Sequence, residues 1–190
     1  MAGGIDVALE LSPDNVAAFR GRDGFQVLER AGPHLWFLIL NLRSPALQDA
    51  RVRRALSLAI DRESLIRDVL RDTAVRAAGP VPAAFDWASD PAIAGDRHDP
   101  ERARRLLTEA GVEKGLDLTL LVPRGGSGML APLAMATAIQ GDLARVGVTV
   151  RLETYEWNAY LAKVNDGLSA DADMAQMAWM TNDRSEEHTS

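Results

Sequence analysis

The sequence has no cysteine and few of the other residues that often carry chemistry. The absence of cysteine excludes disulfide frameworks, thiolate metal sites and cysteine nucleophiles. Only three histidines are present, His34, His98 and His188, and they stand in no recognisable triad order. Ser127 is not in a GxSxG context. Catalysis by a serine or cysteine nucleophile is therefore not predicted.

Long apolar runs and a net positive charge are also missing. The longest uncharged stretch, 125–141, has 17 residues, fewer than the roughly 20 apolar residues that span a membrane. The formal charge is -6, so nucleic acid is not an expected partner. The N-terminus has no basic region and no apolar block typical of a signal peptide. We therefore expect either a cytoplasmic protein or a chain whose true start is missing.

Local patterns predict an α/β protein with one sizeable core. The chain has 190 residues, of which 47% are hydrophobic, which favours a single globular unit. Alternation of apolar and polar residues predicts strands at 4–11, 116–122 and 148–152, and a further strand is predicted at 173–179. The apolar run 35–42 predicts a strand buried on both faces.

Capping residues mark the predicted helices. Asp49, Asp61 and Asp99 each precede apolar residues at helical spacing, and Gly111 ends the helix that follows Asp99. Strand, helix and strand across 116–154 predict a parallel crossover.

Two ligand motifs are weak. The loop RGGSG at 124–128 lies between a strand and a helix, where backbone amides could cradle a phosphate. Its spacing matches neither GxGxxG nor a P-loop, so we interpret it as a flexible connection. Asp171 and Asp173 would reach a metal only with a third ligand from elsewhere, and a solvated start of a strand is the simpler interpretation.

The aromatic residues are predicted to be structural by default. Residues 79–96 hold three prolines together with Phe85 and Trp87, which predicts an irregular surface loop that packs on the protein. A tryptophan in an apolar strand is by default a core residue. This default applies to Trp36, Trp87, Trp157 and Trp179.

The chain closely resembles one known family in three blocks, which occur in the family's order: QDARVRRALSLAIDRESLIRDVL, DPERARRLLTEAG and AIQGDLARVGVTVRLETYEWNAYL. On these blocks it is similar to the family 5 solute-binding proteins, the extracytoplasmic receptors of peptide and nickel ABC importers. The opening GGIDVAL, the apolar segment that ends in Asn41 and the closing DMAQMAW agree with the same family. The resemblance extends to Asp183.

The resemblance implies an α/β fold of the type II periplasmic-binding-protein kind, and a chain that is a piece of a longer two-lobed receptor. Residues 1–42 would form the end of the first lobe and the first hinge strand. Residues 43–172 would form the second lobe, and 173–183 the second hinge strand with the start of the return to the first lobe. A signal sequence or lipoprotein start would lie upstream.

The implied function is binding without chemistry. Such receptors close around a ligand at a hinge, so we expect no catalytic residue, no cofactor and no metal. The implied partners are a small-molecule ligand, in this case a di- or oligopeptide, and ABC permease subunits. The implied location is periplasmic or extracytoplasmic, with lipid anchoring left open.

The resemblance also implies ligand-binding residues: Arg124, Trp179, Asn182 and Asp183. Arg124 matches an arginine that grips the ligand carboxylate in dipeptide-type relatives, and Trp179 matches a tryptophan that ends the second hinge strand. In the family an aspartate that faces the ligand amine lies three residues later, where this chain has Asn182 followed by Asp183. Asparagine carries no charge for an ammonium group, so nickel chelates, glutathione-like and opine-like ligands stay open.

Other interpretations remain at this point. Tyr155, Glu156 and Trp157 resemble the dipeptide-type branch, but a structural role is equally expected. An α/β hydrolase or transferase using aspartate and histidine is one alternative function, although no paired acid and base stand at a recognisable spacing. A cytoplasmic regulator with a borrowed solute-binding domain is another.

Residues 184–190, RSEEHTS, are predicted to be a non-native tail. They replace the family-like pattern abruptly and resemble a translated sequencing adapter. Sequencing through the 3′ end of the gene should recover a different continuation rich in Asp and Pro, whereas an authentic stop codon after this tail would contradict the prediction.

Overall fold

The fold centres on one sheet in a computed structural model. The structure describes residues 4, 6–9, 11–30, 32–88, 90, 92–93, 95–112, 115–126 and 128–180. The strands of the sheet are His34–Leu40 (β1), Leu116–Pro123 (β2), Val148–Tyr155 (β3) and Met174–Met180 (β4). Their order in the sheet is β1-β4-β2-β3, so the last strand in the sequence lies inside the sheet.

Helices fill the connections between the strands. They are Pro13–Phe19 (α1), Pro45–Gln48 (α2), Ala50–Ala59 (α3), Arg62–Ser64 (α4), Pro100–Glu109 (α5), Pro132–Ala144 (α6) and Trp157–Val164 (α7), with a π-helical turn at Leu65–Val69 and a 3-10 turn at Ala83–Ala88. The predicted caps are confirmed, because Asp49, Asp61 and Asp99 each accept a hydrogen bond from a backbone N–H in the first turn. Within the described residues, no helix combines the length and the apolar character needed to cross a bilayer.

The predicted parallel crossover is confirmed. β2 and β3 pair in parallel, and α6, which connects them, packs on both strands. β4 runs parallel to β2 and antiparallel to β1. The carboxyl ends of β2, β3 and β4 and the first residue of β1 therefore meet at one edge of the sheet, which we call the carboxyl edge.

Helices pack on both faces of the sheet, although they leave part of β1 uncovered. On one face, α3, α5 and α6 pack with Leu120 and Met174 into the larger core cluster. On the other face, Tyr160 of α7 packs against Leu121 and Ala175. Successive residues of β2 and β4 thus enter opposite layers, as the period of a strand requires. This layered arrangement confirms the α/β prediction.

Asp173, just before β4, joins three strands. Its N–H donates to the carbonyl of Thr119 at 3.1 Å, and its carboxylate accepts from the Thr119 N–H at 2.7 Å. Its carbonyl accepts from the N–H of Asn41 at 2.8 Å. The Asn41 amide in turn donates to the carbonyls of Ser169 at 3.0 Å and Ala172 at 2.8 Å. Asp173 thus stands at the start of a strand, as predicted, but it is half-buried and bonded to Thr119 rather than simply solvated.

The predicted strand at 4–11 is also wrong. Val7 and Leu9 are 75% and 84% exposed, and the described residues of this stretch belong to no strand. Alternation alone does not make a strand, because the backbone groups of a strand need a neighbouring strand as partner. Among the described residues this segment has none.

Exposure of apolar residues differs from prediction in two more places. β1 forms as expected, but as an edge strand it is only half-buried, and Leu42 beyond its end is 58% exposed. The described residues of 79–96 are irregular as predicted, apart from the 3-10 turn, yet Trp87 is 79% exposed and so is not a core residue.

Replacing Asn41 by alanine should lower the free energy of unfolding by about 1–3 kcal/mol, because the carbonyls of Ser169 and Ala172 lose their donor. Urea unfolding followed by circular dichroism measures the change. Asn158→Ala, at an exposed position of α7, is the matched control and should change the stability by less than about 0.5 kcal/mol. Equal stability of the two variants would contradict the role given to Asn41.

Candidate functional site

The carboxyl edge brings together side chains that are far apart in the sequence. Arg124 follows β2, Glu156 follows β3 and Trp179 lies one residue before the end of β4. His34, the first residue of β1, is exposed and pairs with Met180 at the same edge. Ligands of open α/β sheets bind outside the carboxyl ends of the parallel strands. We therefore take this edge as the candidate site.

Arg124 is fixed through its backbone and exposed through its side chain. Its N–H donates to the carbonyl of Tyr155 at 2.8 Å. Its side chain is 63% exposed, and its Nη1 lies 3.2 Å from Oε1 of Glu156, whose side chain is 77% exposed. An ion pair this exposed contributes little to stability, because water screens it. The backbone thus fixes the position of Arg124, whereas its guanidinium is held only by a weak, exposed ion pair.

The glycine-rich loop after β2 lies on the ring of Trp157. Gly126 has a φ of +145°, and a Cβ atom there would stand 2.3 Å from the ring. Trp157 itself stacks on Tyr160, with ring centroids 5.9 Å apart and planes inclined by 13°. Only glycine fits so close to the indole, so this half of the loop is packed rather than free.

The other end of the same loop contacts β4 and β1. Gly128 has a φ of +73°, and a Cβ atom there would be 3.1 Å from Cβ of Ala178 and 3.3 Å from Cδ2 of His34. The N–H of Met129 donates to the carbonyl of Gly126 at 3.1 Å and closes a turn. The loop connects β2 to α6, as predicted, and it also bridges α7 to β4 across the carboxyl edge.

Trp179 is a surface residue with 64% of its area exposed. The default interpretation of this tryptophan as core is therefore wrong. A large exposed ring with a polar N–H is typical of surfaces that bind partners or ligands. Its part in ligand binding stays a prediction.

Asn182 and Asp183 lie outside the described residues, as does the tail 184–190. Arg124 and Trp179, the other two residues predicted to bind ligand, both lie at the carboxyl edge. Recognition of a ligand amine by Asn182 or Asp183 stays a prediction.

Two tyrosines near the edge belong to the scaffold. Tyr160 is fully buried, its hydroxyl donates to the carbonyl of Gln176, and burial raises its pKa well above the ordinary value. The hydroxyl of Tyr155 donates to Oε2 of Glu153 at 2.7 Å, and this hydrogen bond raises the pKa of Tyr155. Both hydroxyls have protein acceptors and stay protonated at neutral pH.

Carboxylates do not gather into a metal centre in the described part of the chain. No group of three histidine, aspartate or glutamate side chains there is placed to hold a metal ion. Asp171 accepts a hydrogen bond from the hydroxyl of Ser169, which lowers the pKa of that carboxyl. Asp173 is occupied by the backbone of Thr119.

An open depression of about 1770 Å³ lies beside the carboxyl edge. Its lining includes Trp36 and other residues of β1, and it reaches Trp179, but Arg124 and Glu156 do not line it. The indole Nε1 of Trp36 is buried without a hydrogen-bond partner in the described structure. Pockets for small ligands are usually about 300–1,000 Å³. The depression is thus an incompletely covered face of the sheet rather than a closed pocket.

Sequence reasoning did not assign Glu156 or His34 to the site. From the sequence, Glu156 stands only in the triplet 155–157, for which a structural role is equally expected, and His34 is one of three histidines in no recognisable triad order. The signal that unites them with Arg124 is topological, because each flanks the end of a strand that reaches the carboxyl edge. That signal exists only once the order of the strands is known.

The fold matches solved ligand-binding proteins. The dipeptide binding protein from Pseudoalteromonas sp. SM9913, solved in complex with Met-Leu, is similar with a TM-score of 0.81 and 27% identity. The match covers 94% of this chain and 34% of that chain. The fold and the exposed carboxyl edge thus define a type II periplasmic-binding-protein domain, as the sequence predicted.

Residues 1–188 match the family described as bacterial extracellular solute-binding proteins, family 5 Middle, and the chain belongs to this family. The match includes most of the tail 184–190, whose non-native origin stays a prediction. The chain is 32% identical over 82% of its length to the dipeptide-binding protein of Escherichia coli. It is 33% identical over 92% of its length to a di/tripeptide-binding protein of Pseudomonas aeruginosa. The chain spans only 29% and 32% of the lengths of these relatives.

Gly126→Ala should destabilise the protein by about 1–3 kcal/mol, because the new methyl group overlaps the ring of Trp157 and φ is unfavourable for alanine. Urea unfolding gives the change in stability, and near-ultraviolet circular dichroism reports the displaced indole. Gly125→Ala is the matched control, since a Cβ atom there meets nothing within 4 Å. If the two variants behave alike, the loop is not held by Trp157.

Proposed function

We propose that this chain supplies the ligand-binding edge of the second lobe of a solute receptor for a bacterial ABC importer. We further propose that the solute is a peptide with a free carboxylate. The observation that carries the proposal is the exposed guanidinium of Arg124 at the carboxyl edge, on the same edge as the exposed ring of Trp179. The names of the dipeptide- and di/tripeptide-binding relatives support a peptide.

The chemistry of Arg124 suits the terminal carboxylate of a peptide. A guanidinium offers parallel N–H donors that match the two oxygens of a carboxylate, and such charge-assisted pairs are about twice as strong as neutral hydrogen bonds. The pair is strongest where water is excluded. Closure of the first lobe over the edge would exclude that water, and the ligand would then stabilise the closed state without any bond being made or broken.

The proposed division into lobes uses the strands of the sheet. Residues 1–42 belong to the end of the first lobe and the first hinge strand, 43–172 to the second lobe, and 173–183 to the second hinge strand. The antiparallel pairing of β1 with β4 supports this division, because two crossings between the same lobes must run in opposite directions.

The amine of the peptide is assigned to Asn182 or Asp183. Only Asp183 offers a charge to an ammonium group, so strong peptide binding requires this carboxylate to face the ligand. A ligand without an ammonium group, such as a nickel chelate or an opine-like acid, would not need it. Comparing peptides with and without a free amine in the titration below separates these ligands.

The hydrolase alternative is not favoured by the described side chains. Asp61 lies between Ser64, whose hydroxyl donates to it at 2.7 Å, and His98, whose Nδ1 is 3.6 Å away. A catalytic triad needs the histidine between the serine and the carboxylate, so that it can take the serine proton. In addition, Asp61 is already used as a helix cap.

The partners and the location follow from the proposed role. A receptor of this kind delivers its ligand to ABC permease subunits, and it works outside the cytoplasm, either free in the periplasm or held by a lipid anchor. We therefore expect the complete gene to encode a signal sequence or lipoprotein start and to lie next to genes for permease and ATPase subunits. A DNA-binding domain encoded upstream instead would favour the regulator.

Arg124→Ala in the complete receptor should weaken the binding of a carboxylate-bearing peptide by about 1.5–3 kcal/mol, since a charge-assisted pair is lost. Isothermal titration with di- to pentapeptides measures the change. Arg105→Ala, at an exposed position of α5, is the matched control and should leave the affinity unchanged. A peptide amidated at its carboxyl end should bind the unmodified receptor weakly and be insensitive to Arg124→Ala. An affinity unaffected by Arg124→Ala would remove this residue from the site.

A further inference from the structure

Glu156 stands where a side chain normally caps a helix, yet its carboxylate points elsewhere. Its carbonyl accepts the first hydrogen bond of α7, from the N–H of Tyr160 at 2.8 Å. Its side chain makes no capping hydrogen bond, and its Oε1 lies 3.2 Å from Nη1 of Arg124. The carboxylate is thus paired with the one arginine proposed to hold the ligand.

This contact and a ligand carboxylate compete for the same charge. Glu156 contacts Arg124 through a single nitrogen, and both side chains are more than half exposed. A ligand carboxylate that bound Arg124 would place a second negative charge beside Glu156, and like charges disfavour each other at such distances. Because the existing pair is exposed and screened, little opposes its exchange for a better one.

Glu156 also has an alternative position within its own reach. The first N–H groups of α7 have no partner inside the helix, and the N-terminus of a helix favours negative charge. Rotation of the Glu156 side chain brings its carboxylate toward these groups without moving the backbone. The negative charge of Glu156 is then stabilised in both positions.

We infer that Glu156 is an internal competitor of the ligand: it neutralises Arg124 in the open receptor and turns to the N-terminus of α7 when a ligand carboxylate replaces it. This inference rests on the proposed function of Arg124. It adds that Glu156 sets the affinity of Arg124 for a ligand carboxylate. A ligand that presents a neutral group to Arg124 does not displace Glu156 and does not repel it. Glu156 therefore also limits how tightly carboxylate ligands bind.

Glu156→Gln in the complete receptor tests this role by isothermal titration at low ionic strength. A dipeptide with a free carboxylate should bind about three- to fivefold more tightly, and the gain should shrink as salt is added. The affinity for the same dipeptide amidated at its carboxyl end should change by less than about twofold, since a neutral amide is not repelled by Glu156. In an Arg124→Ala background the gain should disappear, because Glu156 acts through Arg124.

The matched control is Glu101→Gln, which removes an equally exposed, arginine-paired glutamate from the first turn of α5 and should leave both affinities unchanged. Unchanged or weaker binding of the free dipeptide to Glu156→Gln overturns the inference, since Glu156 would then be inert or would position Arg124 for the ligand. If Arg124→Ala itself does not alter affinity, the proposed function of the edge fails instead. The two failures are therefore distinguishable.

Discussion

The hydrogen bonds around Asp173 decide where β4 enters the sheet, and the rest of the structure depends on that position. Asp173 holds Thr119 of β2 through both its backbone and its carboxylate, and Asn41 through its carbonyl. Only two residue pairs align β4 with β2, so the hydrogen bonds between Asp173 and Thr119 contribute strongly to the register of these strands. With β4 between β1 and β2, Trp179 reaches the same edge as Arg124. A shift by one residue would turn Trp179 to the opposite face.

Elements whose signals are local were predictable from the sequence. The caps at Asp49, Asp61 and Asp99 satisfy the N–H groups of the first turn, and they do so whatever the rest of the chain does. The strand predicted at 4–11 was wrong because a strand needs a neighbouring strand as its hydrogen-bond partner, and alternation describes only one of the two. The prediction that Trp87 is buried was wrong for a related reason, since burial depends on what packs against a residue and not on its type alone.

The candidate site was predictable only in part. Arg124 and Trp179 came from the resemblance to a family, and both lie at the carboxyl edge. The contact of Gly126 with Trp157 joins residues from two different connections, and no spacing in the sequence indicates it. Asp173 illustrates the limit most clearly, because a carboxylate before a strand predicts solvation unless the neighbouring Thr119 is known. Contacts between strands are set by the order of the sheet, which local patterns do not contain.

The carboxyl edge combines exposed side chains with a buried base. The side chains of Arg124, Glu156 and Trp179 are all more than 60% exposed, whereas the scaffold beneath them, Tyr160 above all, is fully buried. A rigid base under solvated groups keeps those groups in place while they interact weakly with one another. Covering the edge removes water and strengthens whichever ion pair remains. The ion pair between Arg124 and Glu156 is therefore weaker in this exposed arrangement than it would be beneath a surface that excludes water.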